Sequence, residues 1–185
     1  MGRKCDIKKI DATTGKKFLD KHHIQGGVNA TIHLGAFLKD ELVGVMSFKE
    51  VKRKSNRWEL VRFASNCNYI CQGVGGKLFK FFIREYNPDE IKSFADRRWT
   101  INETENLYTK LGFNLIGRTS PDYRYYSPYD GTIRHHKFGF RKAILHKKYG
   151  LPLTMTEAQM TKKLGYRKIY DCGLIKYKWE KEDVN

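Results

Sequence analysis

Between the strand-like run Trp58–Ser65 (WELVRFAS) and the apolar run Leu78–Phe82, the chain sets Gly73, Gly75 and Gly76 within four positions. A strand, a glycine turn and an apolar helix in succession make a βα crossover, which constrains the fold more than any other stretch. Glycines at a helix start let another group approach the backbone. The first turn of such a helix also offers N–H groups without intrahelical acceptors and the positive end of the helix dipole. On the residues alone two readings stay open, a cradle for a phosphate or a tight turn before a core helix. The spacing is not G-x4-G-K-[ST], because Leu78 and Phe79 follow Lys77, and it is not G-x-G-x-x-G.

The flanking segments fill in a layered domain. ATTGKKFLDKHH (residues 12–23) reads as a helix closed by the glycines of IQGG, and TIHLGAFLKDELVGVMSFKE (residues 31–50) as a hairpin turning at a polar LKDE. The helix after the glycines is expected to run to about Tyr86, where NPDE stops it. IKSFADRRW reads as a strand, NETENLYTKLGF as a short helix closed by Gly112, and FNLIGRT as a strand again. Residues 120–150 are aromatic, basic and turn-rich. Beyond them, TMTEAQMTKKLGY reads as a helix capped by Thr156, and YRKIYDCGLIKYKW as a hairpin turning at Asp171-Cys172-Gly173. The fold class is therefore mixed α/β (α+β), a central sheet flanked by helices, followed by a basic C-terminal extension.

Charge narrows the partners. Thirty-six Lys and Arg stand against twenty Asp and Glu in 185 residues, a net +16, and such a field concentrates polyanions. Nucleic acid is thus the expected partner. No apolar run approaches the ~20 residues of a membrane span, and the N-terminus lacks a signal-peptide core, so a cytoplasmic location is expected. Cys5, Cys67, Cys71 and Cys172 are irregularly spaced, and adjacent histidines rarely share one ion, so free thiols and no metal are expected.

The stretch ELVRFASNCNYICQGVGGKL resembles the core segment of the GCN5-related N-acetyltransferases, which commonly reads E-L-x-R-L-A, a short loop, then Y-R-G-x-G-I-G-x-x-L. Glu59 to Ala64 match its strand, Tyr69 its loop tyrosine, and Gly73-Val74-Gly75 its G-x-G. NLYTKLGF (Asn106–Phe113) is similar to the family's downstream helix and strand, and the resemblance covers residues 1 to about 118. It implies a core over 1–118 that binds acetyl-CoA or another acyl-CoA through Phe63, Ala64, Gly73, Val74, Gly75, Gly76, Lys77 and Asn106. Residues 119–185 would form an aromatic-rich extension packed on that core and completing its sheet. Ile70 departs from the family pattern, standing where Arg or Gln is usual. Lys77 offers a compensating charge or is an ordinary surface lysine.

The resemblance also implies catalytic roles. Glu59 is a candidate general base, or else an ion-paired strand glutamate beside Arg62. Tyr108 stands where the family often places the tyrosine that protonates the coenzyme A sulfur. HHIQG and SFADRRW resemble, over shorter lengths, segments of the phage Mom-like branch, which modifies the N6 amino group of adenine in DNA. On that resemblance His23 and Asp96 are candidate catalytic or base-positioning residues, and a phage-encoded chain would act in the host cytoplasm. Arg97, Arg98, Trp99, Arg124, Arg134, His135, Lys137, Arg141 and Lys142 are candidate nucleic-acid contacts, interleaved with Tyr123, Tyr125, Tyr126 and Tyr129. The expected function is acyl-CoA-dependent N-acylation of a DNA base. The alternatives are a catalytically silent DNA-binding module of the same fold, or an acetyltransferase for protein or aminoacyl-tRNA.

Overall fold

Met46 and Val45 are neighbours on one strand and so point to opposite faces of its sheet, where each finds a helix. The strand is β3 (Glu41–Glu50), and the computed structural model that places it describes residues 2–53, 55–129 and 131–181. Met46 packs with Leu34, Phe48, Leu78 and Phe82 beneath α2 (Val74–Tyr86), whereas Val45 packs with Phe18 and Leu19 of α1 (Ala12–His22). In α2 the buried Val74, Leu78, Phe79 and Phe82 recur at helical spacing. Phe82 stacks on Phe48 with ring centroids 3.5 Å apart, a contact worth about 1 kcal/mol beyond its buried area.

The chain divides into two units, one of Met1–Arg118 with Ile175–Asn185 and one of Thr119–Leu174. The first unit carries a seven-stranded sheet. Its other strands are β1 (Asp6–Ile10), β2 (Ile32–Leu38), β4 (Arg57–Ser65), β5 (Glu90–Asp96), β6 (Asn114–Arg118) and β10 (Leu174–Glu180). They lie in the order β1-β2-β3-β4-β5-β10-β6; β4 and β5 pair in parallel, and the pairs β1–β2, β2–β3, β3–β4 and β10–β6 are antiparallel. The short helix α3 (Leu107–Lys110) precedes β6, with Gly112 in the left-handed conformation just after it. The mixed sheet with flanking helices and one central βα crossover is as the sequence predicts. Strand β1 was not predicted. It is an edge strand with two central lysines, and such an edge needs no strong apolar alternation.

The second unit has its own small core of Tyr125, Phe140, Leu145, Leu151 and Met160. Its sheet is β8 (His135–His136), β7 (Tyr123–Tyr126) and β9 (Arg167–Tyr170), with helices α4 (Lys142–Tyr149) and α5 (Glu157–Lys163). Thr156 caps α5 in a reciprocal capping box with Gln159. Helix α4 escapes the sequence pattern because only Leu145 on it is buried.

The hairpin expected in YRKIYDCGLIKYKW does not form. β9 pairs with β7, and β10 pairs with β6. The Asp171–Gly173 turn exists, but the Asp171 carboxylate accepts the Asp122 N–H, and Thr119 bonds both backbone groups of Leu174. These bonds close the neck of residues 119–174 and return the chain to the first sheet. The segment expected as one extension over 119–185 is therefore split after Leu174.

His33 and Ser47 face each other across β2 and β3, both buried, with Nδ1 2.8 Å from Oγ. A Cβ at Gly15 of α1 would lie 2.6 Å from the His33 ring, so glycine there permits the helix to sit on the sheet. Burial chiefly, with Lys16 nearby, lowers the His33 pKa below its ordinary 6.5. The unfolded chain therefore binds a proton that the folded imidazole refuses. Stability should fall as pH drops below about 6.5, by up to ~1.4 kcal/mol per unit until the folded pKa is reached. Thermal melts at pH 7.5 and 5.5 should show a larger drop in Tm for wild type than for His33→Asn.

Candidate active site

The parallel ladder between β4 and β5 ends early. Arg57–Leu60 pair with Glu90–Ser93, and there the pairing stops although both strands continue. The Ser93 hydroxyl donates to the Leu60 carbonyl at 2.8 Å, which takes up the last acceptor of the ladder. Beyond this point the strands enclose a cleft of about 170 Å³. Its lining includes Leu60, Arg62 and Phe63 from β4, Phe94 and Asp96 from β5, Trp99 from the following turn, Leu107 and Tyr108 from α3, and His23 after α1.

Strand β4 leads from this cleft to the glycine loop. Gly73 caps α2 with φ +81, and the Cβ of any other residue at Gly73 or Gly76 would meet nothing within 4 Å. The N–H groups of Gly75 and Gly76 lie in the first turn, where helix geometry provides no intrahelical acceptor. No acidic residue occupies that turn. The exposed backbone and dipole fit a pyrophosphate. Gly75 differs from its neighbours in being a packing glycine, because its Cβ would lie 3.2 Å from Phe63 and 3.3 Å from Leu107. Ile70 is 80% exposed and takes no packing role. Across the other side of α2, Gly76, Phe79, Lys80, Arg84, Lys110 and Trp179 line a groove of about 360 Å³, none of whose basic residues the sequence reading singled out.

Several expected cofactor contacts have other partners. Lys77 donates its ammonium to the Cys5 carbonyl, and Gly2 N–H donates to Gln72 O at 3.0 Å, so the N-terminal turn is tied to the start of α2. Val74 and Ala64 are core residues. Asn106 caps α3: its oxygen accepts from the N–H of Tyr108 and Thr109, while its amide donates to the carbonyls of Asn102 and Glu103 and to the Tyr177 hydroxyl. The side chain is fully engaged inside the protein.

Tyr108, Asp96 and His23 all come to the cleft. Tyr108 stacks on Tyr177 of β10 with centroids 4.8 Å apart and planes at 15°. Burial raises its pKa, partly offset by the Ser93 hydroxyl and the Arg62 charge, so it is a phenol at neutral pH. Asp96 accepts the Arg98 N–H at 2.9 Å and pairs with the Arg98 guanidinium at 3.5 Å, leaving further lone pairs for a ligand. The His23 pKa is lowered by burial and then by Arg62. Its Nδ1 accepts the Gln25 N–H at 3.0 Å, so the neutral ring carries its proton on Nε2 and is a donor there rather than a base.

Glu59 is not brought to the cleft. It lies in the paired part of β4, directly between Lys49 of β3 and Lys92 of β5. Arg62, which the sequence reading weighed only as an ion-pair partner for Glu59, does line it. Of the expected nucleic-acid contacts, Trp99 is 59% exposed at the cleft and Arg98 lies over its ring, while Arg97 sits near Glu103. In the second unit Arg124, Arg134, Arg141 and Lys142 are exposed. Lys137 instead pairs with Asp122, and His135 packs edge-on against Tyr166 and Phe140. Tyr125 is a core residue bonded to Glu157.

Asn106→Ala removes a helix cap and the partner of a buried tyrosine hydroxyl, and should cost about 2 kcal/mol. Denaturant unfolding should show a lower midpoint with an unchanged slope.

No protein-family model and no curated protein sequence matches this chain. Its structure is similar to that of the ribosomal-protein-S18-alanine N-acetyltransferase from Escherichia coli, with 13% identity, 98% of this chain and 99% of that one covered, and a TM-score of 0.55. It is also similar to an IAA acetyltransferase from Bacillus cereus, with 16% identity, coverages of 96% and 99%, and a TM-score of 0.52. Arabidopsis thaliana Naa50, solved in complex with the bisubstrate analogue CoA-Ac-MVNAL, matches at 15% identity over 63% of this chain and 87% of its own, with a TM-score of 0.52. Sheet order, crossover and these likenesses agree: the chain has the fold of the GCN5-related N-acetyltransferases.

Proposed function

We propose that this protein is an acyl-CoA-dependent N-acyltransferase that acts on nucleic acid, with an exocyclic amino group of a DNA base, adenine N6 as in the Mom-like branch, as acceptor. The observation that carries the reading is the β4–β5 cleft, which holds a part-buried phenol and a carboxylate beside β4, the strand that leads into an exposed helix N-terminus. The Gly75 and Gly76 N–H groups would hold the pyrophosphate. Lys80, Arg84, Lys110 and Trp179 suit the nucleotide end of the same molecule. When bound, the coenzyme supplies an acyl group activated as a thioester.

The protein's own groups fit the remaining requirements. Tyr108 keeps its proton through neutral pH, the condition for a general acid. Asp96 has lone pairs left to accept from an amino group and orient it, and His23 Nε2–H can donate to a ring nitrogen or carbonyl. Exposed Trp99 offers a face on which a base can stack. The unit Thr119–Leu174 carries eleven Lys and Arg against four Asp and Glu, a charge suited to phosphates. A protein amine is the second reading, because two of the similar structures are named for such acceptors or hold a peptide-like analogue.

Calorimetric titration with coenzyme A should give saturable binding to wild type and at least tenfold weaker binding to Gly76→Glu. The new side chain meets open space and a favourable dipole, so the variant should fold normally. Absence of binding by wild type at millimolar ligand would overturn the acyltransferase reading. Incubation with duplex DNA and a panel of acyl-CoA donors should add the acyl mass to one nucleoside of the digest. Tyr108→Phe should slow that addition about a hundredfold. Modification of protein amines without any nucleoside product would favour the second reading.

A further inference from the structure

The small sheet of the second unit has one face that its own helices cover and one that they leave open. Directly opposed residues of antiparallel strands point to the same side, and neighbours along a strand to opposite sides. Tyr125 and its partners His135 and Lys168 therefore share the side of Phe140, of Leu145 on α4 and of Met160 on α5, with which Tyr125 is buried. Arg124, Tyr126, His136, Arg167 and Ile169 share the other. On that side Arg124, His136 and Arg167 are exposed, while Tyr126 and Ile169 are half-buried.

The open face is positive, and nothing on it offsets the charge. Among the described residues neither Arg124 nor Arg167 has a carboxylate within ion-pair distance. The register sets them diagonally, Arg124 opposite Ile169 and Arg167 opposite Tyr126, about 7–8 Å apart. Like charges that near do not help a sheet to form, so folding does not account for the pair. The described carboxylates of the unit are taken up elsewhere. Asp122 binds Lys137, Asp171 accepts the N–H groups of Asp122 and Gly173, and Glu157 accepts the Tyr125 hydroxyl on the covered side. His136 Nδ1 accepts the Phe138 N–H at 3.3 Å, which leaves Nε2–H of the neutral ring as a donor.

A polyanion with repeated charges fits this surface, because each guanidinium fork matches two phosphate oxygens and the imidazole adds a further donor. The face offers no exposed ring on which a base could stack. Exposed Tyr170 opposes Tyr123 on the covered side, and Tyr129 lies beyond the end of β7. Single strands are held through such rings, whereas a duplex stacks its own bases and presents a dense row of phosphates.

We propose that the open face of the β8-β7-β9 sheet docks the phosphate backbone of duplex DNA, with Arg124, His136 and Arg167 as its contacts. This rests on the nucleic-acid part of the reading above and specifies how that partner is held: at one place on the second unit, through the backbone, without regard to base sequence. Only Arg124 of the three was expected from the sequence, because strand pairing alone brings His136 and Arg167 beside it.

The test is fluorescence anisotropy of a short labelled duplex of mixed sequence, titrated with the full chain at several salt concentrations. Arg124→Gln/Arg167→Gln should bind about tenfold or more weakly than wild type, with a salt slope smaller by about two. Lys162→Gln/Lys163→Gln removes the same charge from exposed positions on α5, which packs on the covered side, and should weaken binding less than about threefold. Relief of a like-charge pair should leave the Tm of the arginine variant unchanged or raised, so misfolding would not explain its loss. Equal weakening by the two variants would mean diffuse attraction to the whole basic surface and would overturn the proposal. So would tighter binding of the single strand of the same sequence, or displacement of the duplex by polyglutamate at equal charge concentration, the mark of an acidic protein partner. Absence of duplex binding by a wild type that still binds coenzyme A would overturn this proposal and leave the acyltransferase reading standing. Duplex binding through Arg124 and Arg167 by a chain that binds no coenzyme A would support this surface and overturn that reading.

Discussion

A single side-chain hydrogen bond, from the Ser93 hydroxyl to the Leu60 carbonyl, stands where two parallel strands stop pairing, and the arrangement of the cleft follows from that stop. Inside a sheet every backbone N–H and C=O needs a partner. Past Leu60, the β5 side of β4 has no ladder to meet it, so an edge opens in the middle of the sheet rather than at its border. Such an edge invites a ligand that can supply polar atoms. The same divergence exposes Arg62 and Phe63 on one wall and Phe94 and Asp96 on the other. Had the pairing continued to Ser65, these side chains would have been distributed over the two faces of a closed sheet.

The cleft is completed from far along the chain. Residues 119–173 intervene between β6 and β10, yet β10 inserts between β5 and β6. Its Tyr177 is fully buried, stacks on Tyr108, accepts from Asn106 and donates to the Glu103 carbonyl at 2.8 Å. The four-residue helix α3 is too short to stand on propensity. Its capping box and the Tyr177 contacts are what fix the orientation of Tyr108. The insertion therefore sits inside the sheet's wiring, and a hydrogen-bonded neck from Thr119–Leu174 to Asp122–Asp171 lets the second unit grow without disturbing it.

Charge plays two distinct parts. The exposed lysines and arginines of the second unit act over distance on any polyanion, and salt screens them within about 10 Å. Arg62 is different in kind: its partly desolvated guanidinium lines the cleft and donates to the neighbouring Val61 carbonyl, so it acts at close range. Lys77 and Lys137 show why a basic residue in sequence is a weak guide to either role. One bonds a backbone carbonyl and the other an aspartate, and each holds local structure together.

The glycine loop, the helix it starts and the alternating strands around it were legible because they depend on local physics. Positive φ at Gly73, helical spacing from Val74 to Phe82, and the capping residue Thr156 are properties of a few neighbouring residues, whereas Asn106, expected at the cofactor, turned out to cap α3. Motif resemblance then placed Tyr108 and Asp96 at one cleft, and the chain folds so that both line it. What the sequence could not show is pairing over distance. An Asp-Cys-Gly turn between two strand-like runs predicts a hairpin, but Asp122 and Thr119, about fifty residues earlier, bind its two sides and send β9 and β10 to different sheets. Strand alternation also could not tell that Glu59 lies just before the end of a ladder and Arg62 just after it. By itself, then, the sequence determined the elements and the glycine-capped helix N-terminus, because those need only neighbours. Where the ladder ends, which charge faces the cleft, and which tyrosine supports Tyr108 were decided by tertiary structure, because each depends on a partner the chain meets only on folding.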